Sequence, residues 1–371
     1  MLSNAAPKFE SDPAFAARWL DAPRLADVSA GRDNNALAIR FVAAATVILF
    51  HCYALTGRWL DEPLYATLPP LNLGILGVEV FFVLSGFLVT QSWLAHPSVL
   101  PFAMSRILRI YPALVAATVF TILVAGASSA LTWTEYLGSP ITWRYFWRTA
   151  SGYDVVDALP GVFPANPFPW AANGSLWTLP VELRLYVAVG VAGALGLLVR
   201  PRVWLAAALV LVAAALVWPG AVPLDPNHAG TRLAALLFLL GSLACVWQRY
   251  LPLSLPGAAL ALALPIIDNY GITRDGPLFA LLLTYVVLVV GYHPAVRLPG
   301  ISRAPDYSYG LYVYAFPIQQ TIVRFLPDIA PPLLFVTALA ATLAVAAISW
   351  HLLEAPALRL KSRFRNRKPR R

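Results

Sequence analysis

The sequence predicts an all-α, polytopic integral membrane protein of about ten helices with both termini on the cytoplasmic side. Of its 371 residues, 59% are hydrophobic and only 12% charged, whereas about a quarter of the residues of a soluble domain are charged. Mean hydropathy is +0.68. Apolar segments rich in alanine and leucine recur from residue 37 to residue 353. Runs near 20 residues satisfy their own backbone groups in lipid only as helices. The alternating segments of about ten residues that a transmembrane barrel needs are absent.

Residues 1–35 are polar and lack the basic stretch and apolar core of a cleavable signal peptide, so they are expected to form a cytoplasmic arm. Expected spans lie at 37–57, 73–93, 107–127, 175–198, 203–218, 231–248, 254–268, 277–292, 307–326 and 332–353, the seventh being the weakest. Together they make one membrane domain, residues 36–355, followed by a basic cytoplasmic tail, 356–371. The net charge of +9 is concentrated in that tail, in "RLKSRFRNRKPRR". A basic run directly after an apolar segment is an anchor at anionic lipid, which argues against nucleic acid as a partner. The expected inner loops hold Arg106, Arg109, Arg200, Arg202, Arg249, Arg297 and Arg303, and the outer segments hold Arg58, Arg144, Arg148, Arg232 and Arg274. That bias sets the orientation as N-in, C-in.

A long outer loop, residues 128–174, carries Trp133, Trp143, Tyr145, Phe146, Trp147 and Trp170 with the proline-rich run "LPGVFPANPFPW". Such aromatics form either a belt at the headgroup level or a platform for a sugar or lipid-linked acceptor. "NGS" at 173–175 matches a glycosylation sequon, but Asn173 or Ser175 capping the fourth helix accounts for it better. Cys52 and Cys245 both lie in apolar segments with no Cys-x-x-Cys, so neither a disulfide nor a metal site is expected.

Ionisable groups in the hydrocarbon region are expensive and are functional hypotheses by default. His51, Glu79 in "GVEVFFVLSGFL" and Glu182 in "GSLWTLPVELRLY" each lie six or seven residues from the outer end of their helix. At 1.5 Å per residue all three fall about 10 Å below the outer surface. A carboxylate there could orient His51 and stabilise its protonated form. The structural alternative makes His51 an interhelical hydrogen-bonder and pairs the glutamates with arginines such as Arg184 or Arg58. Trp177, Tyr53 and Trp170, at the same end of the chain's spans, are the aromatic candidates for binding an acceptor.

Arg40 precedes His51 by eleven residues, close to three helical turns, so the two share a face about 16 Å apart along the axis. Arg106 and Arg109 in "SRILRIYP" share a face at the inner start of the third span. These three arginines either anchor the inner surface or grip phosphates, to which the guanidinium fork is well matched. A donor with a phosphorylated head and a narrow reactive arm, the shape of an acyl-coenzyme A, fits that spacing. No Gly-x-Ser-x-Gly elbow, P-loop, Rossmann fingerprint or His-Glu-x-x-His is present. Thr56 stands where a His-x4-Asp signature would need aspartate after His51, and Cys52 is read as packing.

Taken together, these residues resemble the acyltransferase-3 family of membrane O-acyltransferases. Arg40 and His51 match its Arg-x10-His element, "GVEVFFVLSGFLV" its second-helix signature with Glu79 where aspartate is commoner, and "RILRIYPAL" its Arg-x-x-Arg element. "NGSLWTLPVELRLY", "YSYGLYVYAFPIQ" and the closing "EAPALR" (Glu354, Pro356, Arg359) complete the series in order across residues 34–359. The block "NNALAIRFVAAATVILFHCYALTG" is most similar to the branch that acetylates exopolysaccharide or related sugars. The resemblance implies a bacterial inner-membrane enzyme moving an acyl group, acetyl or succinyl, from cytosolic acyl-CoA to a polysaccharide or lipid-linked glycan hydroxyl at the outer face. It assigns His51 as base or transient acyl carrier, Glu182 or Glu79 as its support, and Arg40, Arg106 and Arg109 as the CoA phosphate grip. The alternative reading is a transporter or flippase using His51 and the glutamates as a proton relay.

Overall fold

The computed structural model describes residues 22–31, 33–155, 158–217, 230–268, 274 and 276–365. The described residues form helices and three isolated bridges, with no strand. The principal helices are α1 (Ala36–Leu55), α2 (Leu73–Ala95), α3 (Val99–Gly126), α4 (Thr178–Ala194, preceded by the 3₁₀ turn Gly174–Trp177), α5 (Pro201–Val217), α6 (Gly230–Val246), α7 (Leu255–Ile267), α8 (Gly276–Tyr292), α9 (Ser308–Phe325) and α10 (Pro331–Ser349). Five segments are long and apolar enough to cross a membrane: Ala36–Leu55, Leu73–Ala95, Val99–Gly126, Gly174–Ala194 and Pro331–Phe364. Shorter apolar helices lie at Pro201–Ala214, Gly230–Val246, Leu255–Ile267 and Gly276–Tyr292. The protein is an all-α, membrane-embedded bundle.

Close helix contact depends on residues without side chains, because lipid supplies no hydrophobic drive between helices and backbone approach must bring them together. A Cβ added at Gly86 of α2 would stand 1.9 Å from the Phe238 carbonyl oxygen of α6, and one at Gly241 of α6 would stand 2.2 Å from the Val83 carbonyl. Thr90 donates to Ser242 across the same seam at 2.7 Å. Gly86→Ala must therefore push backbone away from backbone. The expected cost is about 1–3 kcal/mol of overpacking, read as earlier loss of helicity in an SDS titration of the detergent-solubilised protein. Wild-type behaviour of that variant would contradict the seam.

α9 packs against α1, α3 and α10. Every residue from Ser308 to Gln320 is buried, which suits a helix whose tyrosines and glutamines find partners on every side. Gly310 lets α10 approach, since its Cβ would meet Ala346 at 2.7 Å. Gln319 Nε2 donates to the Ile48 carbonyl at 2.8 Å and meets Cys52 Sγ at 2.9 Å, tying α9 to α1. At the other end of α1, Asn35 Nδ2 donates to the carbonyls of Val290 (2.9 Å) and Val296 (2.7 Å). α10 runs through a single π turn, Trp350–Glu354, into the short helix Ala355–Arg359. π turns are rare and frequent at functional sites; this one carries Glu354 into the interior, 1% exposed.

One expectation needs revision. α3 begins at Val99 rather than at 107, which places Arg106 and Arg109 about 10 and 15 Å inside the helix rather than at its mouth. The reason is that "VLPFAMS" is apolar enough to continue the helix once Pro101 is accommodated in its first turn. In the loop 128–174, Trp133, Trp143, Trp147 and Trp170 are exposed while Tyr145 is buried. The loop's helices Trp133–Gly138 and Pro140–Ser151 fold over the end of α3, burying Tyr136, Tyr145, Leu159, Val162, Phe163 and Ala172 against Ile122 and Ala125.

Candidate active site

Asp306, in the turn before α9, is the centre of a charged cluster. Its Oδ2 accepts from Arg40 NH1 of α1 at 2.7 Å and from Arg109 NH2 of α3 at 2.6 Å. Its Oδ1 accepts from the Ser308 hydroxyl at 2.5 Å and the Ser308 amide at 3.3 Å. Burial pushes this carboxyl up, but Arg40, Arg109 and the Ser308 bonds outweigh it and hold the group well below the usual carboxylate range. Arg109 lies over the rings of Tyr309 and Trp350 and stands 3.8 Å from Glu354. The Glu354 carboxylate in turn accepts from Ser349 Oγ at 3.3 Å.

Arg106 is held differently. Its Nε donates to Ser105 Oγ at 3.1 Å and NH2 reaches Ser92 Oγ at 3.5 Å, with the guanidinium over Phe102 and Tyr186. Among the described residues no carboxylate lies within ion-pair distance of it. Glu182 stands on the same side: its carboxylate accepts from Ser85 Oγ at 2.9 Å and from the Tyr186 hydroxyl. A cavity of about 50 Å³ lies against these groups, lined by Arg40, Phe81, Ser85, Glu182, Tyr309 and Tyr312 among others.

His51 occupies a second, aromatic compartment toward the other end of α1. Its ring meets Phe316 of α9 edge-on at 5.1 Å and Phe50 at 5.6 Å. Its Nδ1 is buried without a hydrogen-bond partner. Gly174 admits this arrangement, since its Cβ would lie 3.1 Å from the Phe316 ring. Rings connect the two compartments: Arg40 lies over Phe81, Phe81 meets Tyr312 at 6.0 Å, and Tyr312 bonds Thr178 Oγ1 at 2.7 Å and the Ser175 carbonyl at 2.5 Å. Phe316 follows Tyr312 by one turn of α9.

The structure thus joins Arg40 and Arg109 through one carboxylate, brings Arg106 beside Glu182, and puts Arg40 and His51 on α1 about 16 Å apart. It does not gather His51, Glu79 and Glu182 into one group. No hydrogen bond joins Glu182 to His51 among the described residues. Glu79 is buried, and helical phase puts it on the face of α2 with Val83 and Gly86, which meets α6. The face of α2 that meets α1 carries Gly74 and Gly77, against Phe50 and Thr46. Equal depth did not imply a shared face. Of the acceptor candidates, Trp170 is half exposed, while Trp177 and Tyr53 are partly buried. Asn173 is fully buried, donates to the Val313 carbonyl at 2.9 Å and accepts from the Ser175 amide at 3.3 Å, which is the capping role and not a glycan acceptor.

Sequence reading missed Asp306, Ser85, Tyr186, Tyr309 and Tyr312. Asp306 carried a signal, a lone acid directly before a tyrosine-rich buried helix in "APDYSYG"; it lay outside the apolar spans where ionisable groups were sought.

A partly buried arginine–carboxylate cluster drawn from α1, α3 and the turn before α9, with a histidine further along α1, is more than a simple membrane anchor needs. The family profile described as "Acyltransferase domain" matches residues 36–351, and the chain belongs to the acyltransferase-3 family. It is an acyltransferase. The chain is 28% identical over 323 residues to an O-acetyl transferase of Shigella phage Sf6, covering 85% of this chain and 93% of the phage protein. It is 26% identical over 374 residues to Nodulation protein 10 of Rhizobium leguminosarum bv. viciae, covering 90% and 95% of the two chains. No solved structure matches.

Proposed function

We propose that the protein transfers an acetyl group from cytosolic acetyl-CoA to a hydroxyl of an exported polysaccharide or lipid-linked glycan at the outer face of a bacterial inner membrane. The observation that carries this reading is the placement on α1 of Arg40 in a guanidinium cluster and of His51 in an aromatic compartment, about 16 Å further along one face. The phage relative's name supports the acetyl group and the oxygen acceptor. Ten spans with both ends inside put the arm 1–35 and the tail 356–371 in the cytoplasm and the loop 128–174 outside. Nothing in the family match favours proton-coupled transport.

In the reaction, the neutral His51 ring takes the acceptor hydroxyl proton as that oxygen attacks the thioester carbonyl. The carbon–sulfur bond breaks, the proton passes from the imidazolium to the departing sulfur, and the products are a glycan ester and free CoA thiol. Arg106 and Arg40, whose guanidiniums retain donors beyond those used by Ser105, Ser92 and Asp306, hold the donor phosphates. Arg109, engaged by both Asp306 and Glu354, fixes the cluster's shape. Glu182 acts on the donor side through Ser85 and Tyr186. A cavity of about 50 Å³ holds a few waters, so entry of the thioester arm requires Phe81, Tyr309 and Tyr312 to swing aside.

Arg106→Ala is expected to raise the apparent KM for acetyl-CoA about 10- to 100-fold, the loss of a charged hydrogen bond, with kcat much less affected. Release of CoA thiol by purified protein, followed against donor concentration, measures it. An unchanged KM would return Arg106 to a structural role.

A further inference from the structure

We infer that Trp170 and Phe168 form the stacking platform for a pyranose ring of the acceptor, held over the His51 compartment by a clamp between Asn166 and Gln320; this rests on the acyl-transfer reading above. Trp170 adopts φ +67° and Phe163 φ +47°, left-handed conformations that bulky residues rarely take. Strain of that kind persists only where surrounding structure over-determines it, and it clusters at functional sites. Phe163 is completely buried in the core beneath the loop, so its conformation serves packing. Trp170 has no such account, because its side chain is 52% exposed.

What holds the segment is a set of buried amide bonds. Gln320 Nε2 donates to the carbonyls of Phe168 at 2.8 Å and Ala171 at 3.0 Å, on either side of Trp170. Asn166 Nδ2 donates to the Gln320 side-chain oxygen at 2.7 Å and its backbone carbonyl at 3.0 Å. Gln320 is 0% exposed and Asn166 7%. Below the segment, Gly57 at the end of α1 has φ +74° and meets Pro167, its Cβ position 3.4 Å from the proline Cβ. The segment is thereby seated on the end of the helix that carries His51.

Rings continue from the surface to the histidine. Phe168, 46% exposed, meets Phe316 at 6.4 Å, and Phe316 meets His51 at 5.1 Å. An exposed indole and phenyl near a partly buried base suit a ligand with an apolar face and polar edges. A pyranose ring has that form: its axial C–H face packs on the electron-rich ring face while its hydroxyls point away. A headgroup-level belt would call for exposed indoles but for neither the left-handed backbone nor the double amide clamp under it.

The test titrates the total surface polysaccharide of the expressing host, de-esterified with mild base, as acceptor at saturating acetyl-CoA. Trp170→Ala is expected to raise the acceptor KM about 5- to 100-fold, as losing one stacked ring does, while the donor KM and acceptor-independent thiol release stay unchanged. Trp170→Phe should recover most of the affinity, and Gln320→Leu, which frees the segment without touching its rings, should raise the acceptor KM in the same direction. Trp147→Ala, an indole 68% exposed on the helix Pro140–Ser151, should leave both constants alone. An unchanged acceptor KM in Trp170→Ala with wild-type activity intact overturns the platform, as does an equal effect of Trp147→Ala, which would mark a belt. A wild-type protein that releases no thiol in response to acceptor instead overturns the acyl-transfer reading itself.

Discussion

His51→Ala is expected to abolish acyl transfer while the protein inserts, purifies and elutes as the wild type does. A positioned general base contributes about 10²–10⁴-fold, so the residual rate should fall at least two decades. Packing explains why the fold survives. The ring makes edge contacts with Phe50 and Phe316, its Nδ1 has no hydrogen-bond partner to lose, and the neighbouring tie between α9 and α1 runs through Gln319 to Ile48 and Cys52. His51→Gln separates chemistry from structure: it keeps a polar side chain of similar size but supplies no base at neutral pH. Transfer at wild-type rate by His51→Gln would mean that the histidine is an interhelical filler.

Asp306→Ala is the substitution with the largest expected structural effect. It leaves Arg40 and Arg109, from helices distant in sequence, side by side with their shared carboxylate gone. Removing one partner of a fully buried ion pair costs about 3–5 kcal/mol; with Asp306 15% and Arg40 23% exposed, the loss should be smaller but still lower the SDS midpoint and the yield of folded protein. Asp306→Asn keeps the shape and the Ser308 contacts but loses the charge, and should be intermediate. The sign of the pH dependence follows from the depressed carboxyl. Its stabilising contribution is complete above the ordinary carboxylate range and is lost only as pH falls below that range. The stability difference between wild type and Asp306→Asn should therefore be flat from about pH 8 to pH 5 and shrink below. A difference that instead vanishes as pH rises through neutrality would contradict the charge assignment.

Much of the architecture was legible because a membrane makes residues report on burial in one dimension. Each expected span coincides with a helix to within a few residues except at α3, whose start lay in a proline-containing apolar run. The Arg40–His51 relation was legible because both residues sit on one helix, where a 3.6-residue period converts spacing into geometry. Relations between helices were not. The partner of Arg40 and Arg109 is a residue 266 and 197 positions away, and no periodicity links them. The shared depth of His51, Glu79 and Glu182 was read as proximity, but depth leaves the azimuth of each helix undetermined. Gly86 and Gly241 turn α2 so that the face bearing Glu79 meets α6. Ser85 and Tyr186 take up Glu182 on the arginine side. The loop 128–174 was hard to read for a different reason: in "LPGVFPANPFPW" the exposed aromatics and the buried ones look alike until Gln320 is known to hold the backbone between them.

On the proposed function, donor and acceptor are expected to meet from opposite faces, the donor entering on the Arg40 side and the acceptor on the His51 side. Purified protein reconstituted in one orientation in sealed vesicles, with acetyl-CoA and de-esterified polysaccharide supplied on chosen sides, measures this directly through ester formation. Product should form when acetyl-CoA is on the face nearer Arg40 and polysaccharide is on the face nearer His51, and the reversed placement should give none. Equal product from both placements, or from both substrates confined to one face, would contradict it.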